Sequence, residues 1–236
     1  MTYSARRPIG ELPFSAWQMT LRYQMVHPVV PIDFDDTLEE WFVDIVLRHD
    51  DDGECPDYTP EQDCAAAETG VQLGHMSFVR VRNYTGDPAW EAADARSGDL
   101  EKILAVCTDP EYAMAPGLHW SEAFEKAIEL PAGDLMIMDR VRLETEWRGF
   151  GLGALAAAEA VRRLSNGCCA VACEPAPTDR EFTDRDDTAF DHARTKIAAV
   201  WESVGFRPFK NGIYLLDPAL RTMGDARARW QQHFGR

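Results

Sequence analysis

The feature that most constrains the fold is a glycine-rich turn at residues 147–153 (WRGFGLG), which joins two segments of different periodicity. Residues 135–143 before it have extended character, and the alanine-rich residues 154–164 after it have helical character. A strand, a glycine turn and a helix in this order direct unpaired backbone N–H groups and the positive end of the helix dipole towards one point. The glycines permit positive φ angles, and Arg148 adds a planar cation suited to phosphate oxygens. The turn therefore predicts a binding site for a pyrophosphate group.

Two known uses of such a turn can be distinguished here. Residues 151–156 satisfy the dinucleotide-binding pattern G-x-G-x-x-A, and Glu174 lies near the expected offset of ~20 residues. The strand that opens a dinucleotide-binding fold is, however, buried on both faces and continuously apolar. Here the strand region carries Arg140, Arg142 and Glu144, and a single strand–helix–strand unit is evident. A Rossmann-type dinucleotide-binding protein is therefore a remote alternative.

Residues 148–153 are instead similar to the R/Q-x-x-G-x-G/A loop of the GNAT superfamily of acyltransferases. Residues 141–143 then correspond to the end of that family's fourth strand, and residues 171–173 to its fifth strand. Residues 200–206 (VWESVGF) resemble the aromatic-Glu-x-x-Gly-Phe end of its fourth helix. The resemblance covers residues 135–216. It implies an α/β fold with a GNAT-like mixed central sheet, flanking helices, and fourth and fifth strands that splay apart.

The order of elements before this region departs from the usual family pattern. Apolar patterning predicts three strands at residues 17–26, 41–48 and 71–82, and helical periodicity follows at residues 89–106 and 121–130. GNAT proteins usually place their first two helices between the first and second strands, where they border the acceptor. Here the helices fall between the third and fourth strands, which resembles an atypical subgroup and leaves the acceptor undefined.

We expect a single GNAT-like domain over residues 1–236. Its parts are an atypical N-terminal half at residues 1–134, an acyl-CoA-binding core at residues 135–216 and a C-terminal helix at residues 217–236. Trp230 and Phe234 are the apolar anchors of that helix. They either pack on their own domain or form the contact of a homodimer.

The resemblance implies an N-acetyltransferase with acetyl-CoA as co-substrate. An acetyl or other short acyl group would pass to an amine acceptor by direct attack in a ternary complex. Backbone groups of the fourth strand would bind the pantetheine arm, and N–H groups of the glycine turn would bind the pyrophosphate. The expected cofactor-binding residues are Val141, Leu143, Arg148, Gly149, Phe150, Gly151, Leu152, Gly153 and Trp201.

Attack by an amine requires loss of a proton from that amine, and Asp139 is the candidate base. Strand alternation places Asp139 on the same face as Ile137, Val141 and Leu143, where the carboxylate would be partly desolvated. In the alternative interpretation Asp139 forms an ion pair with a neighbouring arginine and has no catalytic role. The weaker candidates are Asp134 and Glu144.

The sequence offers no evident proton donor for the leaving thiolate. Many family members carry a tyrosine where this chain has Trp201, and an indole N–H is not a usable acid. A thiolate needs little help to leave, because an ordinary thiol has a pKa of about 8.5. We therefore expect an enzyme, with a non-catalytic acyl-CoA-binding regulator as the alternative.

The charge balance bears on the partners. The chain has 24 basic and 40 acidic residues, a formal net charge of -16 at pH 7, which disfavours nucleic acid as a partner. The charge is consistent with a cationic small amine or peptide acceptor, or with solubility alone. The first interpretation places the acceptor beside residues 181–191, a predicted acidic loop that contains Asp184, Asp186 and Asp187.

The remaining composition predicts neither a metal nor a membrane partner. The six cysteines show no metal-ligand spacing, and Cys168, Cys169 and Cys173 fall in a predicted strand as buried thiols. No apolar run approaches the ~20 residues that a membrane-spanning helix needs. The N-terminus also lacks the apolar segment of a signal peptide. We therefore expect a cytoplasmic protein.

Overall fold

The computed structural model describes residues 7–30, 32–48, 70–178 and 187–235. These residues contain a sheet of seven strands in the order β1-β2-β3-β4-β5-β7-β6. All neighbouring strands are antiparallel except β4 and β5, which are parallel. The strands are β1 (Met19–Gln24), β2 (Leu38–Leu47), β3 (Val71–Val81), β4 (Asp134–Leu143), β5 (Cys168–Cys173), β6 (Arg207–Pro208) and β7 (Tyr214–Leu216).

Helices cover both faces of the sheet, and three of them lie between β3 and β4, where the sequence predicts two. The helical pattern at residues 89–106 forms two helices instead of one, because Ser97 ends the first and its side chain caps the second by accepting the N–H of Leu100. The helices are α1 (Ala89–Arg96), α2 (Gly98–Cys107), α3 (Glu122–Ala127), α4 (Leu152–Leu164), α5 (Asp187–Val204) and α6 (Thr222–His233).

The two faces of the sheet have separate apolar cores. On one face, which we call the α4 face, the side chains of Met136, Met138 and Val171 pack with α4, α5 and α6. On the other, the α1 face, Leu135 and Ile137 pack with α1, α2 and α3. Side chains of one strand alternate between the two cores, which is the pattern expected of a sheet covered on both sides. The residues of α4 that are buried against the sheet are Ala154, Ala156, Ala157, Ala158, Ala160, Val161 and Leu164.

The predicted α/β class is confirmed, with a mixed central sheet and flanking helices. A Rossmann-type fold requires a series of parallel strands, and the described residues contain one parallel pair. The short β6–β7 hairpin was not predicted, because its strands have two and three residues and so carry no periodicity. Helix α5 begins at Asp187, within the segment predicted to be a loop, while residues 181–186 lie outside the described residues.

The C-terminal helix packs on its own chain. Trp230 is buried in the α4-face core, and its ring lies against Gly151, so that a Cβ at Gly151 would overlap it. Phe234 packs on the same core and stacks on Trp230. Of the two interpretations of this helix, the structure supports packing on its own domain, with Trp230 buried and Phe234 half-buried against the core. A homodimer stays a prediction.

Within the described part of the chain, no helix has the length and apolar character required to cross a bilayer. The same residues include no group of three or more His, Cys, Asp or Glu side chains arranged to hold a metal ion.

Candidate functional site

The parallel strands β4 and β5 separate part of the way along their length. They pair from Asp134 and Cys168 to Ile137 and Ala172, and the pairing ends there although β4 continues to Leu143. On its other side β4 stays paired with β3 as far as Leu143. The β5-facing backbone edge of residues 138–143 is therefore outside the sheet ladder, where its N–H and C=O groups need other partners. A gap beyond the carboxyl ends of adjacent parallel strands is a common ligand-binding place.

A β-bulge at Asp139 accounts for the separation. Arg140 pairs with Ser77 and Met138 with Phe78, so Asp139 is an extra residue with no partner on β3. A bulge bends its strand and increases the local twist, which turns the end of β4 away from β5.

The same bulge shows that one sequence expectation is wrong. Ile137 belongs to the α1-face core, whereas Val141 and Leu143 pack on the α4-face core. The predicted common face of Ile137, Asp139, Val141 and Leu143 does not exist, because the extra residue reverses the alternation. Asp139 accepts a hydrogen bond from Ser77, whose strand neighbour Val79 lies in the α1-face core. Its carboxylate is therefore on the α1 side of the gap.

The glycine turn presents the first turn of α4 to this gap. Gly149 and Gly151 have φ angles of 91° and 89°, a region that side chains other than glycine rarely adopt. Gly151 is the N-cap residue of α4 and provides no side-chain cap. The backbone N–H groups at the start of a helix have no intrahelical partner, and the helix dipole adds partial positive charge there. The turn has the geometry of an anion site.

The N-terminal segment holds this turn in place. The backbone N–H of Arg7 donates to the carbonyl of Gly149 at 3.1 Å. Its guanidinium donates to the carbonyl of Glu146 at 2.8 Å and lies 4.0 Å from the centre of the Phe150 ring. Phe150 is itself buried, so the turn is anchored from both sides.

A cavity of about 350 Å³ joins the gap and the turn. Arg148 lies on its wall and donates from Nε to the carbonyl of Leu143 at 2.8 Å, which ties the turn to the end of β4. Phe150 and Leu152 do not line the cavity, because both residues are buried in the core, with exposures of 1% and 0%. The predicted cofactor-binding residues that line the cavity are Val141, Leu143, Arg148, Gly149, Gly151, Gly153 and Trp201.

Of the three carboxylates predicted as bases, only Asp139 lines the cavity. Its side chain is 24% exposed and lies 3.5 Å from Nε of Arg140, while Ser77 donates to it at 2.9 Å. Asp134 accepts the backbone N–H of Asn83 at 2.9 Å and so holds a loop, and Glu144 is exposed.

Glu174 lies at this site, although the sequence analysis considered it only within the rejected dinucleotide interpretation. It follows the last residue of β5 and lines the cavity, and it accepts from Nζ of Lys102 on α2 at 2.5 Å. Because Ala172 is in the α1-face core, alternation puts Glu174 on the same side of the gap as Asp139. Its signal was available: it comes directly after a predicted strand that neighbours the glycine turn.

Aromatic and thiol groups complete the wall. Trp201 is 8% exposed and lines the cavity together with Cys173. Burial raises the pKa of the Cys173 thiol well above its ordinary value, which keeps it protonated and a poor nucleophile. Burial also raises the pKa of Cys168 to about 11 and that of Cys169 to about 12. These cysteines are buried or half-buried free thiols, as predicted, whereas Cys55 and Cys64 lie outside the described residues.

Comparison with known proteins gives similarities of structure. Neither a protein-family model nor a curated protein matches the sequence. Among solved structures, a tyrosine-to-phenylalanine mutant of KacT is 10% identical, with a TM-score of 0.35 over 89% of this chain and 98% of that one. AtaT complexed with acetyl-methionyl-tRNAfMet is 13% identical, with a TM-score of 0.34 over 84% and 95% of the chains. AtaTR bound with AcCoA is 11% identical, with a TM-score of 0.34 over 89% and 98%. Similarities at these TM-scores carry no argument about function, which is derived below from the site of this chain.

Proposed function

We propose that this protein is an acyltransferase that transfers an acetyl or other short acyl group from coenzyme A to an amine. The supporting observation is that one cavity contains both the unpaired edge of β4 and the first turn of α4. The first suits the amide groups of a pantetheine arm, and the second suits a pyrophosphate. The sequence resemblance to the GNAT loop, which rests on the same glycine turn, implies the same cofactor.

In this proposal coenzyme A lies along the gap. The N–H groups of residues 151–153 bind the pyrophosphate, and Arg148 provides positive charge beside it. Lys196 of α5 lines the same cavity and adds a second cation. The pantetheine runs along the β5-facing edge of residues 141–143. The thioester then lies beside the bulge at Asp139, where a backbone N–H can polarise its carbonyl.

The acceptor amine approaches from the α1 face. Asp139 and Glu174 are the two carboxylates on that side of the gap, and both line the cavity. A carboxylate there attracts an ammonium group and takes its proton, directly or through one water. Asp139 is the proposed base because it lies at the point where the strands part. Glu174 is the second candidate, since its ion pair with Lys102 is closer, at 2.5 Å, than the 3.5 Å contact between Asp139 and Arg140.

A non-catalytic acyl-CoA-binding regulator is the second candidate function, and Trp201 is the observation that favours it. Trp201 lines the cavity at the position where the family often carries a tyrosine, and an indole is no proton donor for a thiolate. In an enzyme the thiolate would leave unassisted or take its proton from solvent.

Cofactor binding can be tested by calorimetry with a matched set of variants. Gly153→Asp places a carboxylate in the first turn of α4, where it competes with the pyrophosphate for the N–H groups, while favouring the helix. Charge repulsion at about 4 Å is expected to weaken acetyl-CoA binding on the order of 100-fold. Gly153→Ala should bind normally, because its Cβ meets Leu143 at an ordinary 3.5 Å. Gly98→Asp, in the first turn of α2, controls for the added charge.

Turnover is then measured as thiol release from acetyl-CoA with a panel of amines. Thiol release that depends on an added amine, and that is abolished in Gly153→Asp, supports the acyltransferase. Tight binding of acetyl-CoA without release with any amine supports the regulator. Unchanged binding in a folded Gly153→Asp protein would mean that the site has been misassigned.

A further inference from the structure

Two lysines of this chain form very similar ion pairs in different places. Nζ of Lys102 lies 2.5 Å from Glu174, and Nζ of Lys126 lies 2.5 Å from Glu122. The second pair is an i,i+4 contact on α3 with side chains 72% and 82% exposed. The first joins α2 to the end of β5, and its side chains are 45% and 20% exposed. Glu174 lines the cavity, whereas Glu122 does not.

We propose that Lys102 is itself an acyl acceptor, so that the protein acetylates its own Lys102 from bound acetyl-CoA. The inference rests on the proposed function and assigns a substrate to the acceptor side of the site. Lys102 is a primary ammonium on the α1 face, and its partner Glu174 belongs to the cavity wall. Four flexible side-chain bonds allow Nζ to move from the outer to the inner side of that carboxylate.

The chemistry balances without any further reactant. The carboxylate of Glu174 takes a proton from the ammonium of Lys102, and the lone pair of Nζ attacks the carbonyl carbon of the thioester. The N–C bond forms and the C–S bond breaks, which releases coenzyme A as a thiolate. The ammonium loses two protons in total: one ends on the thiolate and the other goes to solvent. The product is a neutral amide at Lys102 and free coenzyme A.

The positions of the other lysines make the proposal selective. Lys196 lines the cavity, but within the described residues it has no carboxylate partner to accept its proton. Lys210 lies 5.7 Å from the centre of the Phe209 ring, on β6–β7 and away from the cavity. Lys126 has a carboxylate partner, Glu122, but neither residue lines the cavity. Lys102 has a carboxylate partner that is itself part of the cavity wall, so it should be modified first.

The test is peptide mass spectrometry of the purified full-length protein after incubation with acetyl-CoA. Lys102 should be acetylated with a first-order rate constant independent of protein concentration, as an intramolecular reaction requires. Chemical acetylation without catalysis would favour Lys126, whose side chain is more exposed, 72% against 45%. We expect Lys102 to react at least ~10-fold faster than Lys126. Lys102→Arg should keep the ion pair with Glu174 and lose the modification.

Two variants locate the reaction. Glu174→Gln should slow acetylation of Lys102 by at least ~10-fold and leave acetyl-CoA affinity unchanged. Gly153→Asp should stop acetylation of Lys102 by weakening acetyl-CoA binding, and should leave the rate at Lys126 unchanged. Equal rates at Lys102 and Lys126, or acetylation of Lys196 with Lys102 unmodified, would overturn the proposal.

The outcome is separable from that of the proposed function. Acetyl-CoA that binds and releases its thiol to an external amine, with Lys102 unmodified, refutes this inference and leaves the acyltransferase in place. A protein that does not bind acetyl-CoA refutes both the acyltransferase proposal and the acetylation of Lys102.

Discussion

At the scale of single residues, Gly151 meets two separate requirements. Its φ of 89° disfavours any side chain, and the ring of Trp230 occupies the space where a Cβ would be. A bulky residue at this position would therefore disturb the packing of α6 as well as the approach of a phosphate. Loss of binding in such a variant could not be attributed to the cofactor site, which is why Gly153 is the better probe.

Gly167 provides a matched control for that double requirement. It has a φ of 84° and open space around its Cβ position. Both Gly151→Ala and Gly167→Ala should lose stability through backbone strain, on the order of 1–2 kcal/mol. Gly151→Ala should lose at least about 1 kcal/mol more, because the ring of Trp230 has to move. Urea unfolding measures the difference, and equal losses would show that the contact with Trp230 is not tight.

A second prediction at this scale concerns Asp139. If its carboxylate is the base, Asp139→Asn should reduce turnover by about 10²–10⁴-fold with little change in acetyl-CoA affinity. Ser77→Ala removes the hydrogen bond to this carboxylate without removing the charge, and should have a much smaller effect. Steady-state kinetics and calorimetry provide the two readouts. Full activity in Asp139→Asn together with inactivity in Glu174→Gln would transfer the role to Glu174.

At the scale of elements, most strands and helices were predictable, because they are long enough to show a period. The strand predicted at residues 41–48 is confirmed as part of β2, with Trp41, Val43 and Ile45 on the α4-face core. The bulge in β4 was not predictable, because one extra residue leaves an apolar strand looking regular while it reverses the faces on either side. Asp139 could therefore be identified as a candidate from the sequence, but the face of β4 on which it lies could not be predicted. Glu174 reaches the cavity because β5 lies next to β4, and the sequence alone does not show which strands are neighbours.

The contact between α2 and β5 makes a prediction about pH. Burial, with a smaller contribution from Cys169, raises the pKa of Cys107 from 9.0 to about 12. At a pH between 9.0 and about 12, the Cys107 thiol is deprotonated in the unfolded state and protonated in the folded state. The folded state therefore binds more protons. Stability from this group is complete below pH 9.0 and falls by about 1.4 kcal/mol per pH unit as the pH rises towards the folded pKa.

Urea unfolding at neutral pH and in steps above pH 9.0 tests this. The free energy of unfolding should fall with pH in the original protein and fall less steeply in Cys107→Ala, whatever the stability lost at neutral pH through the cavity. Identical slopes would mean that other groups cause the alkaline loss.

At the scale of the whole molecule, the net charge of -16 surrounds a cavity whose cofactor end is basic. Arg148 and Lys196 line the cavity beside the proposed pyrophosphate position, and Asp139 and Glu174 line it on the proposed acceptor side. We therefore expect the long-range field to favour a cationic amine. Its approach should be fastest at low ionic strength and slower as salt screens the field.

Thiol-release kinetics with a polyamine test this expectation. The value of kcat/KM should fall between low and moderate salt, and less for a monoamine. Neutralising Asp184, Asp186 and Asp187 together should flatten the dependence. Of these, Asp184 and Asp186 lie outside the described residues, and Asp187 opens α5. If the triple variant keeps the full salt dependence, these acidic residues do not steer the amine, and the acidic composition serves solubility alone.

The insertion of α1 and α2 between β3 and β4 has a consequence for how such a protein could change its specificity. The segment begins and ends at one point, since Pro88 forms a bridge with Pro116 and the N–H of Gly117 donates to Asp87. A segment whose ends meet can be exchanged for another at small cost in chain entropy. All residues that line the cavity lie outside this segment, so the cavity would be inherited unchanged while Lys102, the ion-pair partner of Glu174, is replaced. Replacing residues 88–117 is thus a direct way to change the partner of Glu174 while the cavity stays as it is.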